Sequence, residues 1–487
     1  LTEPAASRPL EGYDPLPFFC ELTGQPGRVA ADLALIRKRL EGNDIATLMQ
    51  RAREAENELF NLGITFTVYT DKDAIDRILP FDVIPRILTP GEWRQIETGV
   101  TQRVKALNLF LWDVYHDQKI LKDGIVPRDL VLGNSNYRPE MEGLDPPCGT
   151  YIHINGTDIV RNRHGEFQVL EDNGRSPSGV SYVVENRHLM QRAFPDLMRG
   201  LKVQPVSNYG EQLVAKLREV APQGVDDPSI VLLSPGVYNS AYFEHIFLAR
   251  EMGVPLVEGR DLIVENDRVF MRTVAGLQPV HVIYRRINDD FLDPEAFNRS
   301  SMLGVAGLMR AARKGNLTLA NAVGTGVADD KAVYTYVPEI IRYYLAEEPI
   351  LQNVETHICG TEAGLKYTLE HLAELVVKPV GESGGYGIVV GPKATQMELD
   401  ACRRQIEADP DNFISQPMID LSVCPTLVDG KVEPRHVDLR PYAVTGRSTW
   451  VLPGGLTRVA LRRGSLIVNS SQGGGTKDTW VLEEAQP

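Results

Sequence analysis

The spacing of apolar residues changes several times along this chain, and each change predicts a different element. Residues 1–30 hold no sustained period and are rich in Pro and Gly, which predicts an irregular wrap. From Asn43 to Leu62 the period is helical. Ile45, Leu48, Met49, Ala52, Ala55 and Leu59 make a stripe, and Asp44 is placed to cap it. Thr89-Pro-Gly-Glu-Trp-Arg94 opens a second helix that runs to about Gln118, with Pro90 in its first turn and Glu92 near its positive end. There Ile96, Val100, Val104, Leu107 and Leu111 step by four or three, the mark of a core-facing stripe.

Beyond residue 150 the period drops to two. Tyr151–Val160 and Glu166–Asn173 read as strands, Gly174–Gly179 as a sharp turn, and Val183–Met198 as a helix. From Ser229 the pattern alternates: strand Ile230–Leu233, loop Ser234–Ser240, helix Ala241–Met252, strand Val254–Val257. That is a β–loop–α–β unit and predicts a small parallel sheet. Ligands bind such sheets in the loops beyond the strand ends. More strands follow to Arg286, then Thr318–Val323, a helix over 332–346, and a strand-dominated stretch from 375 to 470 with one helix near Gln396–Ala408. The fold class is therefore α/β with α+β elements. Domain boundaries are expected near 200–228, near 327 and near 412.

Composition removes some function classes. The 487 residues carry a net charge of −14, so there is no overall basic footprint and nucleic acid is excluded as an expected partner. No run of about 18 apolar residues occurs, so no membrane span is expected. Leu1-Thr-Glu-Pro-Ala-Ala6 has neither a basic start nor an apolar core, so it does not read as a signal peptide. The five cysteines, Cys20, Cys148, Cys359, Cys402 and Cys424, are widely spaced and form no Cys-x-x-Cys. They read as thiols in a reducing, cytoplasmic setting rather than as a disulfide framework or zinc site.

Candidate chemistry starts at Leu375-Val-Val-Lys-Pro-Val-Gly-Glu-Ser-Gly-Gly-Tyr-Gly-Ile388. A strand ends in Lys378, a glycine-dense loop follows, and Ile388-Val-Val390 resumes a strand. Glycines let backbone N–H groups turn around phosphate oxygens, and a lysine at the strand end supplies a point charge. In Leu170-Glu-Asp-Asn173 the period of two sends Glu171 and Asn173 to one face. A carboxylate and an amide oxygen so placed suit magnesium, although Asp-Asn-Gly is also a common strand end. In Arg435-His-Val-Asp-Leu-Arg440 the polar residues His436, Asp438 and Arg440 share one face. They fit either a wet strand face or an anion-plus-metal site. If this strand lies beside residues 166–173, Asp438 converges with Glu171 and Asn173. Gln416-Pro-Met418 continues an apolar strand into an extended linker able to meet an adenine edge. Lys331 opens a helix, where a cation opposes the helix dipole. Val468-Asn-Ser-Ser-Gln-Gly-Gly-Gly-Thr-Lys477 is a second glycine-rich loop, without the Gly-Lys-Ser/Thr order of a P-loop.

Together these segments resemble the ATP-grasp superfamily, in its circularly permuted branch, and are similar at a distance to glutathionylspermidine synthetases. The resemblance spans roughly residues 10–480. Glu171-Asp-Asn173 precedes the lysines, whereas ordinary members place it last. The resemblance implies a circularly permuted ATP-grasp fold: a helical N-terminal region over 1–150, permuted metal-site strands over 151–200, a Rossmann-like substrate side over 201–327, and nucleotide-binding lobes over 328–487. It implies ATP and Mg2+ as cofactors. Lys331 and Lys378 would meet the phosphates, with Glu382, Gly384, Gly385 and Tyr386 in the covering loop and Gln416, Pro417 and Met418 beside the adenine. Glu171, Asn173 and Asp438 would hold magnesium, and Arg440 or Arg175 the transferring phosphoryl group. Asn239, Ser240, Arg285 and Arg286 mark the expected substrate side, with a plain surface basic pair as the other reading of the two arginines. The implied activity is a ligase joining a carboxylate to an amine, both small molecules or peptides, through an acyl phosphate. The alternatives are a phosphotransferase and a nucleotide-binding partner protein without ligase activity.

Overall fold

Asp44 accepts from the Thr47 backbone N–H at 2.6 Å and starts α1 (Ile45–Asn61) where its side chain predicts. The computed structural model describes residues 8–24, 31–61, 63–69, 74–381, 387–465, 468 and 474–484. Past a small hairpin of Thr65–Tyr69 and Ala74–Ile78, β1 (Phe81–Leu88) escapes a period-based reading because all eight of its residues are buried. It pairs in parallel with Gly475–Val481, near the other end of the chain, and Pro85 falls where the register shifts. Lys477 and Asp82 form a buried ion pair across this seam.

α2 (Pro90–Val114) begins with a capping box between Thr89 and Glu92. Ile96, Val100, Val104, Leu107 and Leu111 are all fully buried. Burying each contributes about 1.5–3 kcal/mol; Leu107 and Leu111 join a core with Val231 and Ile283, and Ile96, Val100 and Val104 seat the helix on the central sheet. That sheet has five strands, ordered Gln352–Asn353, β3 (Phe167–Asn173), β2 (Ile154–Arg161), Tyr442–Thr445 and Thr449–Val451. β2 and β3 are antiparallel, with a register shift after Asp158. The turn after β3 leads into α3 (Val180–Ala193).

The alternating segment folds as its pattern predicts. β4 (Ile230–Leu233), α4 (Tyr242–Met252), β5 (Val282–Arg285) and β6 (Thr318–Ala320) build a four-stranded parallel sheet, ordered β6, β5, β4, Leu256–Val257. The helix expected over 332–346 is a 3-10 turn, Val333–Tyr336, running into α5 (Val337–Leu345). β7 (Leu375–Pro379) and β8 (Val389–Val390) form the predicted hairpin, with Val376 opposite Val390. α6 (Gln396–Ala408) follows, and β9 (Phe413–Pro417) pairs antiparallel with β7. No helix among the described residues is long and apolar enough to cross a membrane.

Candidate functional site

The site is built on the β2–β3 hairpin, on residues 437–440 and on the end of β7. On β2 and β3 the register sets Asp158 directly across from Glu171. On the other side of β2, Leu439 bridges Ile159, so residues 437–440 lie beside β2 and not beside β3. They stand one strand further from Glu171 than the condition set in the sequence reading.

Asp158 is nearly sealed from solvent and takes two arginines. Arg440 donates from Nε and Nη2 to its two oxygens at 2.5 and 2.8 Å. Arg458 donates from Nη2 at 2.7 Å. Arg458 is itself fixed by Asp438, whose two oxygens each accept from its Nε at 3.0 Å. Burial alone would push the Asp158 carboxyl up, but the charges of Arg440 and Arg458 outweigh it and hold it below the usual carboxylate range. Glu171 is half-buried and more loosely held: Lys331 Nζ and Arg440 Nη2 each lie 3.9 Å from one of its oxygens.

Lys378, at the end of β7, donates to Gln416 Oε1 at 2.6 Å. Gln416 is buried and donates in turn to Thr356 Oγ1 at 2.9 Å. Burial lowers the Lys378 ammonium to about 8, and Lys331 adds to that shift, while Glu171 and Asp158 oppose it. Lys378 thus feels the charges of Lys331, Glu171 and Asp158. Pro417, the last residue of β9, is half-buried, and Met418, just past it, is exposed. Glu382, Gly384, Gly385 and Tyr386 lie outside the described residues, as do residues 469–473 of the second glycine-rich loop.

The turn after Asn173 is clamped by the parallel sheet. Asn173 Nδ2 donates to the Gly156 carbonyl at 3.1 Å. Asp329 accepts from the Gly174 N–H and from Arg175 Nε, the latter at 2.8 Å. Burial raises the Asp329 carboxyl to about 6 in spite of Arg175. Asn321, at the end of β6, accepts from the His153 and Ile154 N–H groups at 2.6 and 2.7 Å. Its Nδ2 donates to the carbonyls of Ile154, Gly174 and Arg175.

Arg285 and Arg286 are both buried, so they are not a surface basic pair. Arg285 donates to the carbonyls of Asn321, Ile287 and Ala322 and pairs with Asp289 at 2.6 Å. Arg286 donates to the Pro177 carbonyl, to Ser178 Oγ and to Glu244. Both brace the turn and loop beside the site. Asn239 Oδ1 accepts from the Ala241 N–H at 2.9 Å at the start of α4, and Ser240 is half-buried beside it.

Two residues of this cluster, Asp158 and Arg458, were not singled out from the sequence. Asp158 had a signal: it lies on a period-two strand one hairpin before Glu171. Arg458 had none, because Thr457–Val459 is a three-residue strand whose neighbours are set by tertiary contact.

Asp158, Glu171 and Asn173 offer hard oxygens on neighbouring strands, a donor set that fits Mg2+. The nearby cations Lys331, Lys378 and Arg440 fit a polyphosphate.

A family model, circularly permuted ATP-grasp type 2, matches residues 85–460. An uncharacterized protein of Synechocystis sp. is 52% identical over 475 residues, covering 97% of this chain and 99% of its own. One of Mycobacterium tuberculosis is 51% identical over 465 residues, covering 95% and 84%. A protein of Frankia alni, provisionally named glutamate–cysteine ligase 2-3, is 41% identical across 98% of this chain, which spans 56% of that longer protein. Among solved structures, the apo form of a glutathione synthetase-like effector from Globodera pallida superposes with a TM-score of 0.56 at 12% identity, covering 90% of this chain and 98% of that one. That likeness is one of fold.

Proposed function

Since the chain belongs to the circularly permuted ATP-grasp type 2 family, we propose that it is an ATP- and magnesium-dependent ligase that joins a carboxylate to an amine through an acyl phosphate. The family, together with ligase-named relatives from Frankia, supports the broader reading of an ATP-dependent ligase. The single observation that carries the finer one is the convergence of Lys378, Lys331, Glu171 and Asp158 from separate parts of the chain.

The chemistry is charge management. A substrate carboxylate attacks the γ-phosphorus of ATP, ADP leaves, and an amine then displaces phosphate from the acyl phosphate to leave an amide. Negative charge spreads over the phosphoryl oxygens, so fixed cations matter more than a protein nucleophile. Lys331 and Lys378 bind and orient the phosphates, and Gln416 holds Lys378 in place. Arg440 is the cation assigned to the transferring group. Asp158, Glu171 and Asn173 would hold magnesium, which when bound neutralises charge on the phosphates. Asp438 serves this set through Arg458. Asn321 and Asp329 keep the turn after Asn173 in position.

The test is hydroxylamine trapping across a panel of amino acids, short peptides and other carboxylates. A hydroxamate that requires ATP, Mg2+ and the carboxylate is the expected product. ADP release with a stable phosphorylated product and no hydroxamate would instead favour the phosphotransferase reading. Absence of any ATP binding would refute both.

A further inference from the structure

Arg440 contacts two carboxylates of the metal set proposed above, Asp158 and Glu171. Its guanidinium forks onto both oxygens of Asp158, and Nη2 also lies 3.9 Å from Glu171 Oε1. It therefore stands between two carboxylates that face each other across paired strands. The route to this position is built in. A Cβ at Gly156 would come within 3.1 and 3.3 Å of Arg440 Cδ and Cγ, and within 3.0 Å of Pro177 Cβ. The missing side chain on β2 is thus the space through which the Arg440 stem passes. Nη1 reaches the Ser178 carbonyl at 3.4 Å, which steadies the far side of the fork.

Arg458 is different. It is locked onto Asp438 through two nitrogens and gives Asp158 a single hydrogen bond. Of the two arginines on Asp158, Arg440 alone also touches Glu171 and so competes directly with a bridging cation.

Resting on the metal reading given above, we propose that Arg440 is an internal counter-ion that keeps Asp158 and Glu171 closed to divalent metal until nucleotide arrives. Its side chain is only 13% exposed, so water is a poor substitute partner once it leaves the carboxylates. A polyphosphate provides the anion that Arg440 needs in exchange. Metal then enters with the nucleotide rather than before it, and the same residue passes from the carboxylates to the phosphate. In the nucleotide-free protein the apparent metal affinity is lowered by the fraction of time that Arg440 is away.

The experiment measures free Mn2+ by electron paramagnetic resonance without nucleotide, in the whole protein. Wild type should bind Mn2+ weakly. Arg440→Gln should bind it at least about tenfold more tightly, and Arg440→Gln/Glu171→Gln should lose that gain. Gly156→Ala should also tighten binding, by less, because its Cβ crowds the Arg440 stem by a few tenths of an ångström while leaving residue 440 intact; it serves as the second readout should Arg440→Gln fold poorly. If Arg440→Gln and Gly156→Ala bind Mn2+ no better than wild type while Glu171→Gln weakens it, the metal site stands and the counter-ion proposal is overturned. If Glu171→Gln changes nothing in either background, the metal reading fails and takes the proposal with it.

Discussion

Replacing Asp172 by asparagine should destabilise the protein by about 3 kcal/mol, although Asp172 points away from the site. It lies between Glu171 and Asn173, so the period of two turns it to the opposite face of β3. There it meets Arg103 of α2, which is fully buried. Arg103 donates from Nε and Nη2 to Asp172 Oδ2 at 3.2 and 2.5 Å, and from Nη1 to Asn353 Oδ1 at 2.7 Å. Thr157 Oγ1 donates to the other oxygen at 3.2 Å. Removing one charge of a buried pair costs about 3–5 kcal/mol, because the remaining ion stays desolvated. Asparagine keeps one acceptor for Arg103, so the lower end is expected. Alanine keeps none and should cost the full range. The double variant Arg103→Met/Asp172→Leu removes both charges. It should recover to within about 2 kcal/mol of wild type, short of full recovery because Thr157 loses its acceptor and Asn353 its donor, at about 1 kcal/mol each. Urea unfolding of wild type, Arg103→Met, Asp172→Leu and the double variant, followed by tryptophan fluorescence, gives the cycle and its coupling energy, with Asp172→Asn and Asp172→Ala measured alongside. A cost under about 1 kcal/mol for Asp172→Asn, or a double variant as unstable as the singles added together, would refute the claim that this pair is held by mutual charge compensation.

Lys378→Ala should weaken ATP binding by at least tenfold in calorimetry while leaving the circular dichroism unchanged. With the Lys378 ammonium lowered to about 8, its charge is present below that pH and lost above it, so ATP affinity should fall from pH 7 to pH 9. Lys378→Arg, which stays charged, should flatten that slope; an unchanged slope would exclude Lys378 as its source. Asp158→Asn should cut Mg2+-dependent ADP release by about 100-fold or more, and wild-type rates in the folded variant would remove Asp158 from the metal set. Asn321→Ala loses all five hydrogen bonds of a buried amide and should cost about 3–5 kcal/mol in the same unfolding assay, whereas a loss under about 1 kcal/mol would mean the turn after Asn173 is held by other contacts.

Much of this protein is readable from local pattern, since a half-buried helix or strand shows its period directly. α1, α2, α6, β3, the β7–β8 hairpin and the alternating parallel sheet all follow the spacing of their apolar residues, and Glu171 and Asn173 share a face for the same reason. β1 is buried on both faces, has no period to read, and finds its partner almost 400 residues away. Its pairing is a tertiary fact. The same holds for the charges. The sequence by itself determined that Asp438 and Arg440 lie on one strand face. Only the fold decided that Asp438 is taken by Arg458, that Arg440 reaches across to Asp158, and that Arg285 and Arg286 are buried braces. Side-chain period tells which way a residue points along one strand. Which charge it meets there depends on the neighbouring strand, and that neighbour comes from a distant part of the chain.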